Sequence, residues 1–561
     1  MKNVMKWNHS RMFRGKYKGI GMGLCVVLLL TASCDKWLDL KPYDGVVENE
    51  YWQTKEDVHS VLIGCYSSLL DQTMVSNMIY WGELRGDLVT GSSSASSGVM
   101  SVVRGEITPE NAIVKWDQFF TTINYCNKVI EKSVLVRERD MSFTDDLYRQ
   151  YKAEATAIRS LMYFYLVRSF SDVPFVTKAS DDDRQDYYVA KIEGRAVLDS
   201  LVKHLENVLP DLPRDLGDND LNKGRMTRWT GLALLADIYL WQGNYVACSG
   251  RCDQIITSGQ FSLIVPGSGD LTPVPIIDPV LMDTLEVAYQ FASSYADRLF
   301  DELYVTGNSV ESIFELQFPK THDALGDPFY ALFKGTGNVP PLIPKEDNLL
   351  ENIFPLYEYA DINSTVQDVR GNSFTYKNES VWKWVGLSRS GSTTRTQKTF
   401  PHWIIYRYAD ILLMKAEALN QMGKATNDQN LLKESYALVQ QIRTRGNAVD
   451  SEEVVSTSDD GQGGTLQLVD AQALEQLILD ERAREFAGEG KRWYDVLRFA
   501  LRDAPNGGSR YLTMLAITAA PPEKVTSLQE KYKNKWFLYW PIYVNAVEIN
   551  KNLKQNEFYV R

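Results

Sequence analysis

The chain has 561 residues, 44% of them hydrophobic, which is enough to bury a large core without disulfide bonds. It carries 72 acidic and 60 basic residues, which gives a formal net charge of −12. Because an acidic body repels the phosphate backbone of nucleic acids, the composition excludes nucleic acid as a partner.

The first 33 residues predict an export signal. They contain six basic residues and no acidic one, and an apolar segment follows at 20–30. Those eleven residues would rise about 16 Å as a helix, which is too short for a bilayer core of roughly 30 Å. A basic start, a short apolar core and small residues at the exit are typical of export signals. We therefore predict a signal over 1–33 rather than a membrane span.

Cys34 is the predicted site of a lipid anchor. The sequence "TASC" at 31–34 resembles a bacterial lipobox, in which the signal is cut before the cysteine and the cysteine is acylated. Two or more acyl chains hold a protein stably at a membrane. Cutting at this point leaves 54 basic and 72 acidic residues, and 34–48 becomes a lipidated tether. The alternative is an ordinary secretory signal that is cut nearby.

Helical periodicity dominates the body of the chain, 49–561. Apolar residues recur at spacings of three and four, and they predict helices over 51–70, 111–133, 148–170 and 195–208. Three later segments resemble tetratricopeptide-type helix pairs, and such pairs must stack because one pair cannot bury its apolar stripe alone. These segments are 228–261 with a break at Gly243-Asn244, 407–445 with a break at Gly423, and 473–500 with a break at 488–490.

The predicted fold class is all-α: a helix-pair scaffold with long loop-rich insertions and minor short strands. Alternation predicts one strand near 311–318. Irregular stretches of this length are usually functional, and they are rich in Gly, Ser and Pro at 90–105, 265–280, 319–399 and 450–464. We divide the body into an N-terminal part, 49–265, and a C-terminal part, 266–561.

Four cysteines follow Cys34, and we expect them to be small buried hydrophobic residues rather than disulfides. Two of them lie four residues apart on a predicted helix, a spacing that suits packing better than bonding. An even number of cysteines in an exported chain leaves disulfides as the alternative. The four are Cys65, Cys126, Cys248 and Cys252.

Glu481 and Glu485 are the strongest candidates for carboxylate chemistry, because both fall on one largely apolar helical face. One interpretation is an acid/base pair of the kind that a glycosidase uses. The other is a buried ion network, since buried carboxylates need partners. The network is favoured because glycosidase carboxylates flank an open cleft from two elements, and its candidate partners are Arg482, Arg492 and Arg407. A separate ion pair is expected between Arg407 and Asp410.

Aromatic residues are abundant, with 13 Trp, 30 Tyr and 21 Phe. Core packing accounts for most of them. Exposed rings in irregular stretches would suit the apolar C–H faces of sugars. The candidates for such exposed rings are Tyr80, Trp81, Phe329, Tyr330, Phe333, Tyr376, Trp382 and Trp384.

Seven segments, in the expected order, resemble the SusD/RagB family of outer-membrane lipoproteins of Bacteroidetes. The segments are "CDKWLDLKP", "WDQFFTTINYCNKVIEK", "AEATAIRSLMYFYLVRSFSDVPFV", "GRMTRWTGLALLADIYLWQGNY", "YRYADILLMKAEALNQMG", "DERAREFAGEGKRWYDVLRF" and "PIYVNAVEINKNLKQNEFY". Together they span nearly the whole chain after the signal.

The resemblance implies a non-catalytic cell-surface lipoprotein that captures oligosaccharides for a partner SusC-like TonB-dependent transporter. It also implies a tetratricopeptide-like scaffold with ligand loops. Asp35 follows the lipidated cysteine, as is ordinary in this family, so surface export is implied by the family rather than by that residue. The alternatives are a RagB-like peptide or glycopeptide binder and a helical glycoside hydrolase.

Ligand-contact candidates follow from position in the chain rather than from a motif. They are Trp81, Arg85 and Asp87 in the loop after the second helical segment, and Tyr330 after the predicted strand. No histidine spacing or phosphate loop predicts a metal or cofactor. The acidic loop "SDDDR" at 180–184 makes Ca²⁺ conceivable, although a solvated charge run is the expected role.

Overall fold

Helices form most of the described part of the computed structural model, and segments with short strands and loops lie between the helix pairs. The structure describes residues 51–180, 187–277, 284–318, 328–334, 339–355, 357–359, 364–366, 368–395, 402–448, 454–459 and 465–560. Cys34, the tether and residues 181–184 of the acidic loop lie outside these ranges. No helix within them has the length and apolar character needed to cross a membrane. The chain from Thr54 onward forms one compact unit.

The helices agree with the predicted all-α class. In chain order they are α1 (Lys55–Ser68), α2 (Gln72–Glu83), α3 (Ser97–Val103), α4 (Asp117–Arg139), α5 (Asp145–Phe170), α6 (Gly194–Val208), α7 (Asn219–Gly224), α8 (Arg228–Gln242), α9 (Tyr245–Ile256), α10 (Ser293–Phe300), α11 (Pro328–Phe333), α12 (Glu346–Asn348), α13 (Trp382–Val385), α14 (Tyr408–Thr426), α15 (Gln429–Gly446), α16 (Ala471–Phe486), α17 (Arg492–Asp503), α18 (Arg510–Ala519), α19 (Val525–Lys531) and α20 (Val544–Ile549).

The longer helices pack against one another in series. α1 packs on α4, α4 on α5 and α5 on α6, and the series continues through α8 with α9, α9 with α14, and α14 with both α15 and α16. The apolar stripes that predicted these helices face one another and form the core. Cys65, Cys126, Cys248 and Cys252 are buried in it as free thiols, which confirms their predicted packing role.

Two of the three predicted breaks between paired helices lie where the sequence placed them. Gly243 ends α8 in the left-handed conformation (φ 75°), which glycine adopts without steric cost. Gly488 and Gly490 likewise have positive φ between α16 and α17. The third break was wrong: α14 continues past Gly423 to Thr426, and Asn427 caps it in the left-handed conformation (φ 54°).

Gly423 instead lets α14 and α15 approach each other closely. A Cβ atom at this position would lie 2.8 Å from the Leu432 side chain. The next helix begins after Asp428, whose carboxylate accepts hydrogen bonds from the backbone N–H groups of Asn430 and Leu431. The glycine therefore serves helix packing, while the Asn-Asp pair makes the turn.

Short strands occupy parts of the predicted irregular stretches. Those described form antiparallel two-stranded ribbons: β1 (Val89–Gly91) with β7 (Leu342–Pro344), β2 (Val173–Pro174) with β3 (Lys191–Ile192), β4 (Leu271–Ile277) with β5 (Thr284–Phe291), β6 (Ser312–Leu316) with β12 (Trp403–Arg407), β8 (Tyr357–Tyr359) with β9 (Ser364–Val366), β10 (Tyr376–Lys377) with β11 (Ser380–Val381), and β13 (Val455–Asp459) with β14 (Thr465–Val469). The predicted strand near 311–318 is β6, and its partner β12 was not predicted.

Candidate functional site

The carboxylates of Glu481 and Glu485 lie in a buried ion network on α16. Their residues are 0% and 2% exposed. One guanidinium nitrogen of Arg370 lies 2.6 Å from a carboxylate oxygen of each. Arg407 and Arg445 also donate hydrogen bonds to Glu485. The structure therefore shows the predicted network rather than two carboxylates at an open cleft.

Paired cations keep these buried carboxylates ionised. Burial acts to raise the pKa of Glu485, but Arg445, Arg407 and Arg370 together hold it well below its ordinary value. Burial opposes ionisation of Glu489 as well, yet Arg407 and Lys383 lower its pKa to about 2. Carboxylates held in this state cannot supply a proton at neutral pH, so the network serves to join β12, α15 and α16.

Two of the three predicted partners of the network were wrong. Arg407 belongs to it, but Arg482 pairs with Asp495 at 2.8 Å, because consecutive helical residues point about 100° apart. Arg492 opens α17 and pairs with Asp87 at 2.7 Å. Arg370 and Arg445 were missed, since they lie 111 and 40 residues from their nearest network carboxylate partners.

The predicted pair of Arg407 and Asp410 takes a different form. The backbone N–H of Arg407 donates to the Asp410 carboxylate at 3.2 Å. That carboxylate forms its close ion pair with Lys491, at 2.6 Å. The guanidinium of Arg407 instead faces the carboxylates of α16, so the spacing of three predicted a contact but not the side-chain partners.

Trp81 and Arg85 are buried, which corrects the expectation that they face a ligand. Trp81 is 0% exposed, stacks on Phe119 with ring centroids 4.8 Å apart, and donates its indole N–H to the Ile113 carbonyl at 2.8 Å. Arg85 donates to the Leu538 carbonyl at 2.8 Å. The reason is α2, an unpredicted helix that carries Trp81 into the core.

Most other candidate rings are buried as well. Tyr330 lies half-buried on α11, and its predicted ligand contact stays a prediction. Phe329, on the same short helix, is 0% exposed and stacks on Trp384 with centroids 4.6 Å apart. The expectation of exposed rings was wrong for five of the rings, which fill the space between short elements: Phe329, Phe333, Tyr376, Trp382 and Trp384.

Asp87, one of the four ligand-contact candidates, lines a cavity of the size that a small ligand occupies. It lines a pocket of about 660 Å³ bounded by α16, α17 and α18, which we call the α16–α18 pocket. The turn at 348–353 forms a further side. Volumes of 300–1,000 Å³ are typical of small-molecule sites. The sequence offered no signal for this pocket, because its walls come from segments up to about 430 residues apart.

The Asp87 carboxylate lines the α16–α18 pocket and is held in place by ion pairing and hydrogen bonding. Arg492 makes a two-pronged contact with Asp87, at 2.7 and 3.1 Å, and Thr518 donates to the same carboxylate at 3.2 Å. Burial acts to raise the pKa of Asp87, but Arg492 and Thr518 hold it below its ordinary value. Asp87 therefore stays a hydrogen-bond acceptor and is unsuited to act as a general acid.

Primary amides also line the α16–α18 pocket. Asn348 donates to the Asp87 carbonyl at 2.8 Å and accepts from Asn352 at 2.9 Å. On α16, the Gln476 amide donates to both carboxylate oxygens of Asp480, at 3.0 and 3.1 Å. These contacts orient the amides before any ligand arrives.

Apolar side chains also line the α16–α18 pocket. They are Leu479, Val496 and Leu515, which are at most 3% exposed, and Met514, which is 63% exposed. The lining can therefore offer a ligand both hydrogen bonds and van der Waals contact. No histidine, cysteine or serine occurs among the described residues that line it, and no metal-binding group of three His, Cys, Asp or Glu occurs in the described ranges.

Sequence models of known families match an N-terminal and a C-terminal segment of the chain. A sequence model of the SusD family matches residues 356–559. A second, described as starch-binding and associating with the outer membrane, matches residues 36–240. The chain belongs to the SusD/RagB family. The family and the fold class that the sequence predicted are therefore confirmed.

One relative matches most of this SusD/RagB chain, and another matches about a third of it. SusD-like protein P38 of Formosa agariphila is 26% identical over 515 residues, which cover 86% of this chain and 92% of that protein. The starch-binding protein SusD of Bacteroides thetaiotaomicron is 29% identical over 183 residues, which cover 32% of this chain and 26% of that protein.

Solved structures of SusD proteins share the fold. A SusD superfamily protein of Bacteroides vulgatus aligns with a TM-score of 0.62 at 19% identity, covering 90% of this chain and 99% of that one. A SusD-like carbohydrate-binding protein of Bacteroides fragilis aligns with a TM-score of 0.61 at 18% identity, covering 90% and 100%. At these identities the likeness establishes the architecture.

Proposed function

We propose that this protein is a non-catalytic, glycan-binding lipoprotein of the outer membrane that hands oligosaccharides to a SusC-like TonB-dependent transporter. The observation that carries the proposal is the pair of SusD-family matches, of which the N-terminal one is described as starch-binding and associating with the outer membrane. Acyl chains on Cys34 would anchor it at the cell surface.

The chemistry of the described residues supports binding without catalysis. The two carboxylates that could have formed an acid/base pair, Glu481 and Glu485, are buried and neutralised by arginines. The α16–α18 pocket holds hydrogen-bonding and apolar groups. Weak sugar contacts favour affinities of roughly micromolar to millimolar Kd, about −8 to −4 kcal/mol, which permit release into a transporter.

Affinity electrophoresis tests the binding function. The purified mature protein is run through native gels that contain amylopectin, xyloglucan, galactomannan, arabinan or polygalacturonate, and the same mixtures are assayed for new reducing ends. We expect retardation by at least one polysaccharide and no new reducing ends. Cleavage would support a glycoside hydrolase instead. Absence of retardation throughout, with binding to a peptide library, would support the RagB-like alternative.

The anchor and the transporter need separate tests. Wild-type protein expressed in a Bacteroidetes host should incorporate labelled palmitate and sediment with outer membranes, whereas Cys34→Ala should do neither. Wild-type protein isolated from mild detergent should co-purify with a TonB-dependent transporter. Equal palmitate labelling of both proteins would overturn the anchor at Cys34, and the absence of any transporter would overturn the delivery step.

A further inference from the structure

We propose that the α16–α18 pocket is a binding site for an uncharged oligosaccharide segment. This inference rests on the proposed function and gives it a location and a ligand class. The pocket lies between the C-terminal helices and the turn at 348–353. Its position is independent of the ring-bearing segments from which the sequence predicted ligand contacts.

The charge balance of the pocket favours a neutral ligand. Its lining contains two carboxylates, Asp87 and Asp480, and two guanidiniums, Arg492 and Arg510. The guanidinium of Arg492 is already paired with both oxygens of Asp87, so its positive charge is compensated before a carboxylate or sulfate on a ligand approaches. The whole chain is acidic, with a net charge of −12, and this further disfavours anionic glycans.

The polar groups of the pocket suit sugar hydroxyls, which both donate and accept hydrogen bonds. Four primary amides line the pocket: Asn348, Asn352, Gln472 and Gln476. An amide both donates and accepts hydrogen bonds, and so does a sugar hydroxyl. Asn352 is exposed and bonded to Asn348, which holds it at the pocket rim where a hydroxyl can reach it.

The apolar lining suits the C–H face of a sugar ring. Met514 on α18 has 63% of its surface exposed, and the buried side chains of Val496 and Leu515 line the same pocket. Methionine is flexible and adapts its shape to a ligand surface. A lining that combines apolar side chains with amides is the one expected for a ring that is apolar on its face and polar at its edge.

Site-directed blocking tests the location. Met514→Arg places a long charged side chain at the pocket mouth, where the native side chain is exposed and the fold should tolerate the change. Ile517→Arg is the matched control, because Ile517 is on the same helix, is 54% exposed and does not line the pocket. Asn352→Ala is a second, smaller change at the rim.

Titration calorimetry is carried out with maltohexaose, cellohexaose, xylohexaose and mannohexaose, with hexagalacturonate as the charged probe. For the tightest neutral hexaose, we expect Met514→Arg to raise Kd at least tenfold, Asn352→Ala several-fold and Ile517→Arg less than twofold. Hexagalacturonate should bind at least tenfold more weakly than that hexaose. Thermal melts check that each variant is folded.

Hydrogen–deuterium exchange on the unaltered protein supplies an outcome that needs no variant. Saturating hexaose should slow exchange in peptides that cover Arg510–Ala519. If a hexaose binds but Met514→Arg leaves Kd unchanged and this helix gains no protection, the pocket assignment is overturned while the proposed function stands. If no hexaose and no gel polysaccharide binds, the proposed function itself fails, and the pocket assignment fails with it.

Discussion

The carboxyl group of Glu83 accepts a hydrogen bond from the backbone N–H of Gly490 at 2.7 Å. It accepts a second from the backbone N–H of Lys491 at 3.2 Å. Residues 407 positions apart in the chain are thus joined, and the end of α2 is fixed against the turn between α16 and α17. Along the chain, Gly490 and Lys491 lie between Glu489 of the buried ion network and Arg492, which pairs with Asp87.

Close backbone contact at this junction predicts that Gly82→Ala destabilises the protein. A Cβ at Gly82 would lie 1.8 Å from the Gly490 carbonyl oxygen, so the backbone must move. We expect a loss of about 2–4 kcal/mol in the free energy of unfolding, measured by urea denaturation. Gly64→Ala in α1 is the control, because nothing lies within 4 Å of its Cβ, and it should be neutral or stabilising. Equal effects of the two changes would contradict the contact.

Glu83 predicts a stability that falls as pH rises. Burial raises the pKa of Glu83 from 4.5 to about 8, although hydrogen bonds from Gly490 and Lys491 act in the other direction. The folded state therefore holds this proton more tightly than the unfolded chain. Its stabilising contribution is complete below about pH 4.5 and is lost as pH rises through about 8.

The measurement is the difference in unfolding free energy between wild type and Glu83→Gln across pH 5 to 9. The amide keeps a carbonyl acceptor for Gly490 and does not titrate. We expect the variant to gain stability relative to wild type over this range, by at least about 1 kcal/mol. A difference that does not change with pH would show that Glu83 does not titrate there.

Loss of the shared carboxylate of Glu485 should be among the most damaging single changes. Arg370, Arg407 and Arg445 all donate to it, and each is at most 2% exposed. Glu485→Ala leaves three buried cations without this partner, which predicts a loss of about 3–5 kcal/mol in unfolding free energy.

The matched control for that change is an exposed pair. Lys533 and Glu530 lie 2.6 Å apart with more than half of each side chain exposed. Glu530→Ala should therefore change the unfolding free energy by less than about 1 kcal/mol. If Glu485→Ala were as mild as Glu530→Ala, the network would not be a determinant of stability.

The ion pairs of Glu417 predict that the protein loses stability as pH falls, whereas Glu83 predicts a loss of stability as pH rises. Burial acts against the ionisation of Glu417, but Arg498 and Arg502 lower its pKa from 4.5 to about 2. The guanidinium of Arg498 contacts both carboxylate oxygens, at 2.8 and 2.7 Å. The stabilisation is present above about pH 4.5 and is lost as pH falls through about 2.

Thermal unfolding of wild type and Glu417→Gln between pH 2 and pH 7 provides the check. The variant should be less stable by about 3 kcal/mol at pH 7, and the difference should shrink progressively below pH 4.5. A constant difference down to pH 2 would mean that the loss comes from packing rather than from the ion pair.

The sequence predicted only part of the candidate site. Asp87 was chosen for its place in the chain, yet its neighbours Trp81 and Arg85 are core residues, because α2 continues as a helix where a loop was expected. The helices α16 and α17 were predicted, but the pocket between them also needs α18, which carries Met514 and was not predicted. Helical periodicity predicts which residues share a face of a helix, but it does not predict which other segments pack against that face.

The sequence by itself determined the helical class, the positions of most long helices and the turn at Gly243, because these depend on spacings of three and four residues and on local backbone preferences. The resemblance of seven segments indicated the family. Only the tertiary structure decided that Arg492 meets Asp87 rather than Glu485, that the rings at 382 and 384 are buried, and that a pocket opens beside α18. Such contacts join segments hundreds of residues apart, and the packing of whole helices selects among many possible partners of the same charge or polarity.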